Sequence, residues 1–358
     1  MSHYNVSLPN YSVGTDCYHE IPSVTRRYGK TAIVIGGKTA MQKARHALLA
    51  GVEGSDTEIV DFLWFGGDSS YENGNALKVL PSVQHADMIF GVGGGRACDT
   101  AKYVADQLGK PLFTFPTLAS NCAACTAISV IYGPDQAFLE YYYPTPAVHT
   151  FINTDIIADS PSKLLWAGIG DALSKEIEAM FSSSQSRLFH TTQLGRAVSG
   201  ICTTPLLECG KKALDDCAAG VSSFELEQVA LDIIISTGIV SNLMSSPDFY
   251  FNSSLAHCVY YGATVIPRCE QAHLHGEIVS FGVLCLLMYD GQLDEFDRIA
   301  AFNKSMGLPV CLADLDLTPD DLPAMTEKAM TSTEWKNAPA GLTPERFTQS
   351  ILDADARG

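Results

Sequence analysis

The sequence has 358 residues, more than the roughly 250–300 at which a single hydrophobic core usually divides, so two domains are expected. Hydrophobic residues account for 46% and charged residues for 18%, a balance typical of a globular protein and unlike that of a disordered chain. The net charge of −17 disfavours nucleic acids and anionic membrane surfaces as partners, because both attract basic patches.

The N-terminus and the cysteines indicate a cytoplasmic protein. Residues 1–13 are polar and include Pro9, unlike a signal peptide, and no apolar run reaches the roughly 20 residues of a membrane span. Eleven cysteines in a chain of this size indicate reduced, largely structural thiols rather than a disulfide framework. Cys122 and Cys125 form a CxxC pair, but a structural zinc site needs a second pair, and a redox role is the minor alternative.

The first part of the chain alternates between short apolar runs and helical patterns. Strands are predicted at residues 31–35, 59–65, 87–90 and 111–115, and helices at residues 41–49, 75–80 and 100–108. This alternation predicts a parallel sheet with helices on both faces. Two further runs, residues 127–132 and 137–143, are joined by a polar turn at residues 133–136 and predict an antiparallel hairpin attached to the sheet.

The pattern becomes helical after about residue 160. Apolar residues recur at helical spacing in residues 224–243, 278–288 and 296–302, and residues 343–358 predict a final helix with a frayed tail. A boundary near residue 160 is therefore predicted. It separates an α/β domain of residues 1–159 from an all-helical domain of residues 160–358.

A glycine cluster, Gly91-Val92-Gly93-Gly94-Gly95, lies between a predicted strand and a predicted helix. Such a loop brings backbone N–H groups close to a pyrophosphate, although a tight turn also favours glycine. Arg96 stands where the usual dinucleotide fingerprint has its third glycine. An arginine at a helix N-terminus is unfavourable unless an anion lies beside it, and this favours a phosphate site.

A second polar segment, residues 116–122, follows the strand predicted at residues 111–115. The carboxyl ends of parallel strands meet at one edge of a sheet, where ligands bind. This segment and the glycine cluster are therefore expected to form a cleft, the alternative being an ordinary N-capping turn.

Three residues in the helical half are candidate metal ligands. They are Asp171, His257 and His275. One carboxylate and two imidazoles are a usual catalytic set for zinc or ferrous iron, with a position left open for a substrate oxygen. Each residue also has a simpler interpretation when taken singly. The aspartate could cap a helix, and each histidine could be a hydrogen-bonded core residue.

Five segments together resemble the iron-containing alcohol dehydrogenase superfamily, and within it the glycerol-dehydrogenase-like branch. They are GGGRACDTAK, PTLASNCAACTAISVIY, AGIGDALSKEIEA, AHCVYYGATVIP and HLHGEIVSFG. Their order matches over nearly the whole chain. The bacterial NADPH-linked hydroxycarboxylate dehydrogenases of this branch look most similar, because they share the N-C-A-A run and a Gly-Lys pair after the first strand.

The resemblance implies an α/β nucleotide-binding domain, an all-α C-terminal domain and a metal in the cleft between them, the dehydroquinate synthase-like architecture. It implies metal ligation by Asp171, His257 and His275. It implies cofactor contacts by Gly94, Gly95, Arg96, Asp99, Thr117, Ser120, Thr126, Ile128 and Tyr132. Lys175 stands where the iron-dependent branch supplies a further histidine, which favours a three-ligand site with zinc rather than iron.

Three positions depart from the family pattern. Cys122 replaces an aspartate that contacts substrate hydroxyls in glycerol dehydrogenases, which disfavours glycerol itself. Arg96 replaces the usual lysine, which keeps the charge but changes its geometry. Gly37 and Lys38 stand where NAD-specific members have an acidic residue, so NADP(H) as well as NAD(H) is a candidate cofactor.

The sequence thus predicts reversible hydride transfer between NAD(P) and a small polyol, hydroxyketone or 2-hydroxy/2-oxo acid. Arg268 is a candidate partner for a substrate carboxylate, and a solvated helix-end arginine is the alternative. A metal-dependent cyclase like dehydroquinate synthase and a non-catalytic binding protein are the competing functions. Relatives suggest a homo-oligomer, while the substrate, the preferred cofactor and the metal stay open.

Overall fold

The computed structural model describes residues 5–134 and 137–358. These residues form two compact units. The sheet unit consists of Asn5–Leu165 and Lys212–Asn242, and the helical unit consists of Trp166–Lys211 and Leu243–Gly358. Asp135 and Gln136 of the predicted polar turn lie outside the described residues, as do residues 1–4 of the predicted polar N-terminus.

The sheet unit is built on six parallel strands. They are β1 (Tyr11–Val13), β2 (Thr31–Gly36), β3 (Glu58–Trp64), β4 (Met88–Gly93), β5 (Leu112–Pro116) and β8 (His149–Ile152), in the order β1-β8-β5-β4-β2-β3. All neighbouring pairs are parallel. The four predicted strands are confirmed. The sequence did not indicate β1 and β8, which have only three and four residues.

Helices cover both faces of this sheet, as predicted. The sheet unit holds α1 (Ile21–Thr25), α2 (Lys38–Val52), α3 (Tyr71–Lys78), α4 (Pro81–His85), α5 (Gly95–Leu108) and α6 (Thr154–Ala158). Alternate strand residues serve two separate cores. Val34 and Phe90 pack with residues of α1 and α2, whereas Ile33 and Ile89 pack with residues of α3, α4 and α5. Strands buried on both faces explain the uninterrupted apolar runs in the sequence.

The predicted hairpin exists but is not part of the main sheet. Strands β6 (Ser129–Tyr132) and β7 (Phe138–Tyr142) pair antiparallel as a separate two-stranded sheet. The hairpin is held by α5 instead, since Asp99 accepts a hydrogen bond from the Val130 N–H at 3.1 Å. The expectation of attachment to the sheet was therefore wrong, because a side chain rather than a strand edge anchors the hairpin.

One segment from the helical half of the sequence belongs to the sheet unit. Residues 212–242 comprise the end of α10 (Thr204–Ala218), α11 (Phe224–Leu231), a π-helical turn (Asp232–Ser236) and most of α12 (Thr237–Met244). Ser222 donates to Thr154 at 2.7 Å, and the Cys125 thiol donates to the Ile234 carbonyl at 2.9 Å. The domain boundary near residue 160 stays a prediction. The compact units differ from the predicted domains because residues 212–242 belong to the sheet unit.

Within the described ranges, residues 224–244 form the one helix long and apolar enough to match a membrane span. Its mean hydropathy is 1.3 over the most apolar window, and 72% of that window is buried inside the protein.

The helical unit surrounds one buried helix, α15. Its helices are the greater part of α7 (Ser162–Ala172), α8 (Ser174–Ser182), α9 (His190–Ser199), α13 (Leu255–Ala263), α14 (Pro267–Ala272), α15 (His275–Asp290), α16 (Leu293–Met306), α17 (Leu322–Ala329), α18 (Thr333–Lys336) and α19 (Pro344–Arg357). Helix α15 packs against α8, α13, α16 and α19. A short ribbon, β9 (Ser245–Ser246) with β10 (Phe249–Tyr250), is the exception to the predicted all-helical character. The expected frayed tail is instead a docked helix, because Phe347, Ile351 and Ala354 of α19 are fully buried.

Candidate functional site

The glycine cluster lies where three strands of the sheet end. Gly37 donates its N–H to the Val92 carbonyl at 3.3 Å, and Thr117 donates to the Gly93 carbonyl at 3.4 Å. These bonds tie the carboxyl ends of β2, β4 and β5 together. The two polar loops are therefore neighbours at the edge of a parallel sheet where ligands bind.

The first turn of α5 is shaped for a close approach by a ligand. Gly93 has φ +141°, a conformation that L side chains rarely adopt. Gly94 precedes α5, and no side chain of this N-cap residue bonds to the free N–H groups in the first turn of the helix. A Cβ atom on Gly95 would stand 2.8 Å from the Asn121 side-chain nitrogen, so a side chain there would have to displace the Asn121 amide. Exposed N–H groups at a helix N-terminus fit the pyrophosphate of a dinucleotide.

Arg96 has a counter-ion within the protein. Its Nε lies 3.4 Å from Asp68 Oδ1, and its guanidinium stacks 4.6 Å from the centre of the Tyr132 ring. Asp68 therefore supplies the anion that the sequence argument assigned to a phosphate. The presence of Arg96 beside the helix dipole is explained without a ligand, and the phosphate site depends on the glycine geometry instead.

A buried ion pair holds the segment after the second loop. Lys102 is fully buried, and its Nζ lies 2.8 Å from Asp99 Oδ1. The same ammonium donates to the carbonyls of Thr126 and Ile128, the first at 3.2 Å. Burial raises the pKa of Asp99 despite the lysine beside it. Sequence reasoning missed Lys102, although a lysine three residues after Asp99 on one helix face was a usable signal.

The burial of Asp99 bears on its expected role. It is 4% exposed, one oxygen faces Lys102, and the other accepts from Val130 N–H. These contacts favour a role in holding residues 126–130. A direct cofactor contact by Asp99 stays a prediction.

The remaining predicted cofactor residues lie in the same unit with different exposures. Thr117 and Thr126 are buried, Ser120, Ile128, Tyr132 and Gly37 are half-buried, and Lys38 is exposed. The Lys38 ammonium stands 4.2 Å from the centre of the Trp64 ring. Cys122 is half-buried and Cys125 is buried, and all eleven cysteines are free thiols.

The three predicted metal ligands converge in the helical unit. Their potential ligand atoms all lie within 4.8 Å of one another. Asp171 Oδ1 is 3.1 Å from His275 Nε2 and 3.7 Å from His257 Nε2. Ligands of tetrahedral zinc, at about 2.0–2.1 Å from the ion, stand roughly 3.4 Å apart. One carboxylate and two imidazoles at this spacing fit a divalent cation.

Close helix contacts bring these ligands together. A Cβ atom on Gly276 would stand 1.9 Å from the Ala167 carbonyl oxygen, so α15 and α7 touch directly beside His275 and Asp171. A Cβ atom on Gly282 would stand 2.4 Å from the Ala256 carbonyl oxygen, where α13 carries His257 next in sequence. Each contact requires glycine. The ligand set is thus fixed by backbone packing.

A buried carboxylate supports His257. Glu178 Oε2 lies 2.7 Å from His257 Nδ1, and Glu178 is fully buried. Burial disfavours the charged imidazole, but Glu178 and Asp171 outweigh it and raise the pKa of His257 to about 9. Burial likewise opposes ionisation of Asp171, yet the two histidines hold its pKa below the usual value. Glu178 was missed in the sequence, because it lies on α8, a separate helix from α7, which carries Asp171.

Lys175 and Arg268, the two cations considered in the sequence, are already engaged by other groups. The Lys175 ammonium donates to Asn252 Oδ1 at 2.7 Å and to the Asn252 carbonyl at 3.3 Å. Arg268 donates to the Asp316 carbonyl at 2.6 Å and pairs with Asp321. The ion pair supports the structural alternative for Arg268, and a role toward a substrate carboxylate stays a prediction.

Comparisons with known proteins agree with this geometry. Residues 9–149 match the protein family described as iron-containing alcohol dehydrogenase. A glycerol dehydrogenase of Escherichia coli O6:H1 is 31% identical over 361 residues, covering 97% of this chain and 95% of that protein. Hydroxycarboxylate dehydrogenase A of Escherichia coli K12 is 33% identical over 232 residues, covering 64% of this chain and 63% of that protein. The crystal structure of glycerol dehydrogenase from Schizosaccharomyces pombe has a TM-score of 0.86 at 25% identity, covering 99% of this chain and 91% of that one.

A glycine-edged parallel sheet with an Asp-His-His set in a helical unit defines a nucleotide-linked, metal-dependent class of enzyme. The chain belongs to the iron-containing alcohol dehydrogenase family. It is an oxidoreductase that acts on CH–OH groups, and its family is metal-dependent and NAD-linked. The cyclase alternative is not favoured.

Proposed function

We propose that this chain transfers hydride reversibly between a nicotinamide dinucleotide and a small polyol, hydroxyketone or 2-hydroxy/2-oxo acid. The observation that carries the proposal is the convergence of Asp171, His257 and His275 within 4.8 Å. When bound, a divalent cation supplies Lewis acidity toward the alcohol or carbonyl oxygen, and the nicotinamide supplies the hydride chemistry.

The ligand residues have distinct tasks. Asp171 supplies the negative charge of the set, and the two histidines supply neutral nitrogen ligands. The edge of the Tyr260 ring packs against the His275 ring at a centroid distance of 4.1 Å, which restricts the rotation of that imidazole. Lys175 in place of a fourth ligand adds positive charge beside Asp171. Because the further histidine of the iron-dependent branch is absent at position 175, as in the glycerol-dehydrogenase-like branch, we propose zinc rather than iron.

The cofactor is proposed to bind at the glycine cluster with its pyrophosphate on the N-terminus of α5. Gly94 and Gly95 present backbone N–H groups with no side chain of their own, and Arg96 stacks on the Tyr132 ring beside them. Lys38 is a cation on α2 where NAD-specific members have a carboxylate. Removing that repulsion allows a 2′-phosphate, so both NAD and NADP are expected to bind.

The substrate end is set by two observations of opposite sense. A carboxylate at position 122 would hold polyol hydroxyls and would repel an acidic substrate. Cys122 has no such charge, so it disfavours polyols and tolerates acids. Arg268, the predicted cation for an acid, is committed to Asp321. Polyols and hydroxyketones therefore remain substrates alongside the 2-hydroxy and 2-oxo acids.

The wider setting is also a proposal. Eleven free thiols fit a reducing compartment, so we place the enzyme in the cytoplasm. A homo-oligomer is expected from the relatives. Light scattering of the purified protein checks this expectation, and a mass equal to one chain contradicts it.

A substrate panel tests the proposal. Zinc-loaded protein is assayed with NADH and NADPH against dihydroxyacetone, glycolaldehyde, 2-oxobutanoate and 2-oxoglutarate. Oxidation of either cofactor with at least one carbonyl is the expected result. Absence of turnover across the panel and with the matching alcohols contradicts the proposal. Reduction of dihydroxyacetone alone removes the acid substrates from it.

A further inference from the structure

We propose that Glu178 is the positioning residue that makes His257 a metal ligand, an inference that rests on the proposed function. Glu178 lies on α8, outside the predicted ligand set, and is fully buried. A buried carboxylate needs partners for both of its oxygens. Three hydrogen bonds join the Glu178 carboxylate to residues 254–257.

The first contact fixes the tautomer of the imidazole. Glu178 Oε2 lies 2.7 Å from His257 Nδ1. An ionised carboxylate can only accept hydrogen bonds, so Nδ1 carries the hydrogen. In the neutral, ligating form of the imidazole Nε2 is then the nitrogen with the free lone pair, and it is the atom that lies 3.7 Å from Asp171 Oδ1.

The second oxygen holds the backbone that carries the ring. Glu178 Oε1 accepts from the Ser254 N–H at 2.7 Å and from the His257 N–H at 3.0 Å. These N–H groups lie at the start of α13, where the Ser254 side chain provides no cap. Glu178 therefore caps this end of the helix. One carboxylate therefore sets both the position of the helix end and the direction of the imidazole.

The isosteric variant Glu178→Gln separates these tasks. Its amide oxygen can keep the two backbone N–H groups, which turns the amide NH₂ toward Nδ1. The imidazole must then accept at Nδ1 and carry its hydrogen on Nε2, which blocks ligation there. Zinc affinity is expected to fall about 10- to 100-fold, the range for lost carboxylate support of a histidine ligand.

Competition with a chromophoric chelator measures zinc affinity without any assay of turnover. Glu176→Gln, a half-exposed carboxylate on the same helix, is the matched control and keeps wild-type affinity. In a His257→Ala background, Glu178→Gln has no further effect if Glu178 acts through His257. The visible spectrum of the Co²⁺-loaded protein is also expected to change in Glu178→Gln and not in the control.

The outcomes are distinguishable. Wild-type zinc affinity and an unchanged Co²⁺ spectrum in folded Glu178→Gln overturn this inference alone, even where the metal-free protein melts earlier. A further loss of zinc affinity when Glu178→Gln is added to His257→Ala also overturns this inference alone. Failure of the wild-type chain to bind zinc overturns the proposed function as well. If Glu178→Gln does not fold, Glu178→Asp carries the test, because its carboxylate is one methylene short of Nδ1 and zinc affinity must still fall.

Discussion

Single side chains carry the proposed chemistry, and their neighbours determine what they can do. Asp171 and His275 are in direct contact at 3.1 Å, and His257 completes the set from another helix. Their residue types suggested a metal site from the sequence, since one carboxylate and two imidazoles are a usual ligand set for zinc or ferrous iron. Glu178 and Lys102 were not predicted, because a charged residue in a helical pattern usually indicates a solvated face.

Removal of Asp171 tests the ligand set at this scale. In Asp171→Ala the cation loses its anionic ligand, so zinc per chain is expected to fall close to zero and turnover by at least about 100-fold, consistent with a Lewis-acid contribution of several kcal/mol. Metal analysis and steady-state kinetics measure the two effects. Asp353→Ala, an exposed aspartate on α19, is the control. A metal-free Asp171→Ala protein with full activity contradicts the assignment.

Asp87 predicts a pH dependence of stability. Its Oδ2 accepts from the Thr31 and Lys30 N–H groups at 2.9 and 2.8 Å, and these bonds lower its pKa. A lowered pKa in the folded state stabilises the fold above the unfolded value of about 3.9, and this stability is lost as the pH falls through the folded value.

At pH 7, Asp87→Asn is therefore expected to lower the free energy of unfolding by about 1 kcal/mol, a value already reduced for solvent exposure. The difference from wild type shrinks as the pH falls from about 4 through the lowered folded-state pKa of Asp87, because both side chains are uncharged only below that value. Urea unfolding between about pH 2.5 and 7 measures it, with the exposed Glu58→Gln as control. A difference that is constant across this range contradicts the explanation.

Secondary-structure elements place the side chains, and the sequence predicted some of these elements better than others. Strands β2 and β4 were predicted well because both are buried on two faces and therefore continuously apolar. The start of α5 was predicted five residues late, because Gly95 and the residues after it have the composition of a loop. The helix contacts at Gly276 and Gly282 could not be predicted, since partners so distant in sequence are not coded by local pattern.

Gly276 tests whether backbone contact builds the metal site. In Gly276→Ala the new methyl group meets the Ala167 carbonyl oxygen and pushes α15 away from α7. A loss of about 3 kcal/mol in stability is expected, together with weaker zinc binding. Gly200→Ala, at an exposed helix end where the new Cβ makes only an ordinary contact of 3.5 Å with the Ala197 carbonyl oxygen, is expected to change stability by less than about 0.5 kcal/mol. Thermal unfolding and zinc titration compare the two, and equal effects contradict the explanation.

Lys102 tests how α5 holds the second loop. Lys102→Met leaves the buried Asp99 without its partner, so a loss of about 3–5 kcal/mol in stability is expected. The KM for NADH is expected to rise about tenfold because the segment of Thr126 and Ile128 loses its donor. Exposed Lys163→Met is the control.

The double variant Lys102→Met/Asp99→Asn separates the charge from the loop contacts. It no longer buries an unpaired charge, so much of the stability is expected to return, while the KM for NADH stays high. Unfolding by urea measures the stability, and steady-state rates at varied NADH concentration measure the KM. Recovery of both properties contradicts a role of Lys102 in holding the loop.

The whole molecule combines an α/β sheet unit and a helical unit, and its family was recognisable from the order of five motifs. Fold class and family were accessible because glycine loops and ligand motifs are local in sequence. The assignment of residues 212–242 to the sheet unit was not accessible, because a helical pattern does not specify which unit a helix packs against.

At this scale, metal occupancy and turnover of one preparation test the central proposal most directly. Chelated protein is titrated with zinc and, under anaerobic conditions, with ferrous iron, while hydride transfer to or from NAD(P) is recorded with the best substrate of the panel. Activity is expected to rise linearly with added metal and to stop rising at one ion per chain, with zinc at least as effective as iron. Full activity in protein that metal analysis shows to be metal-free would contradict the role of Asp171, His257 and His275.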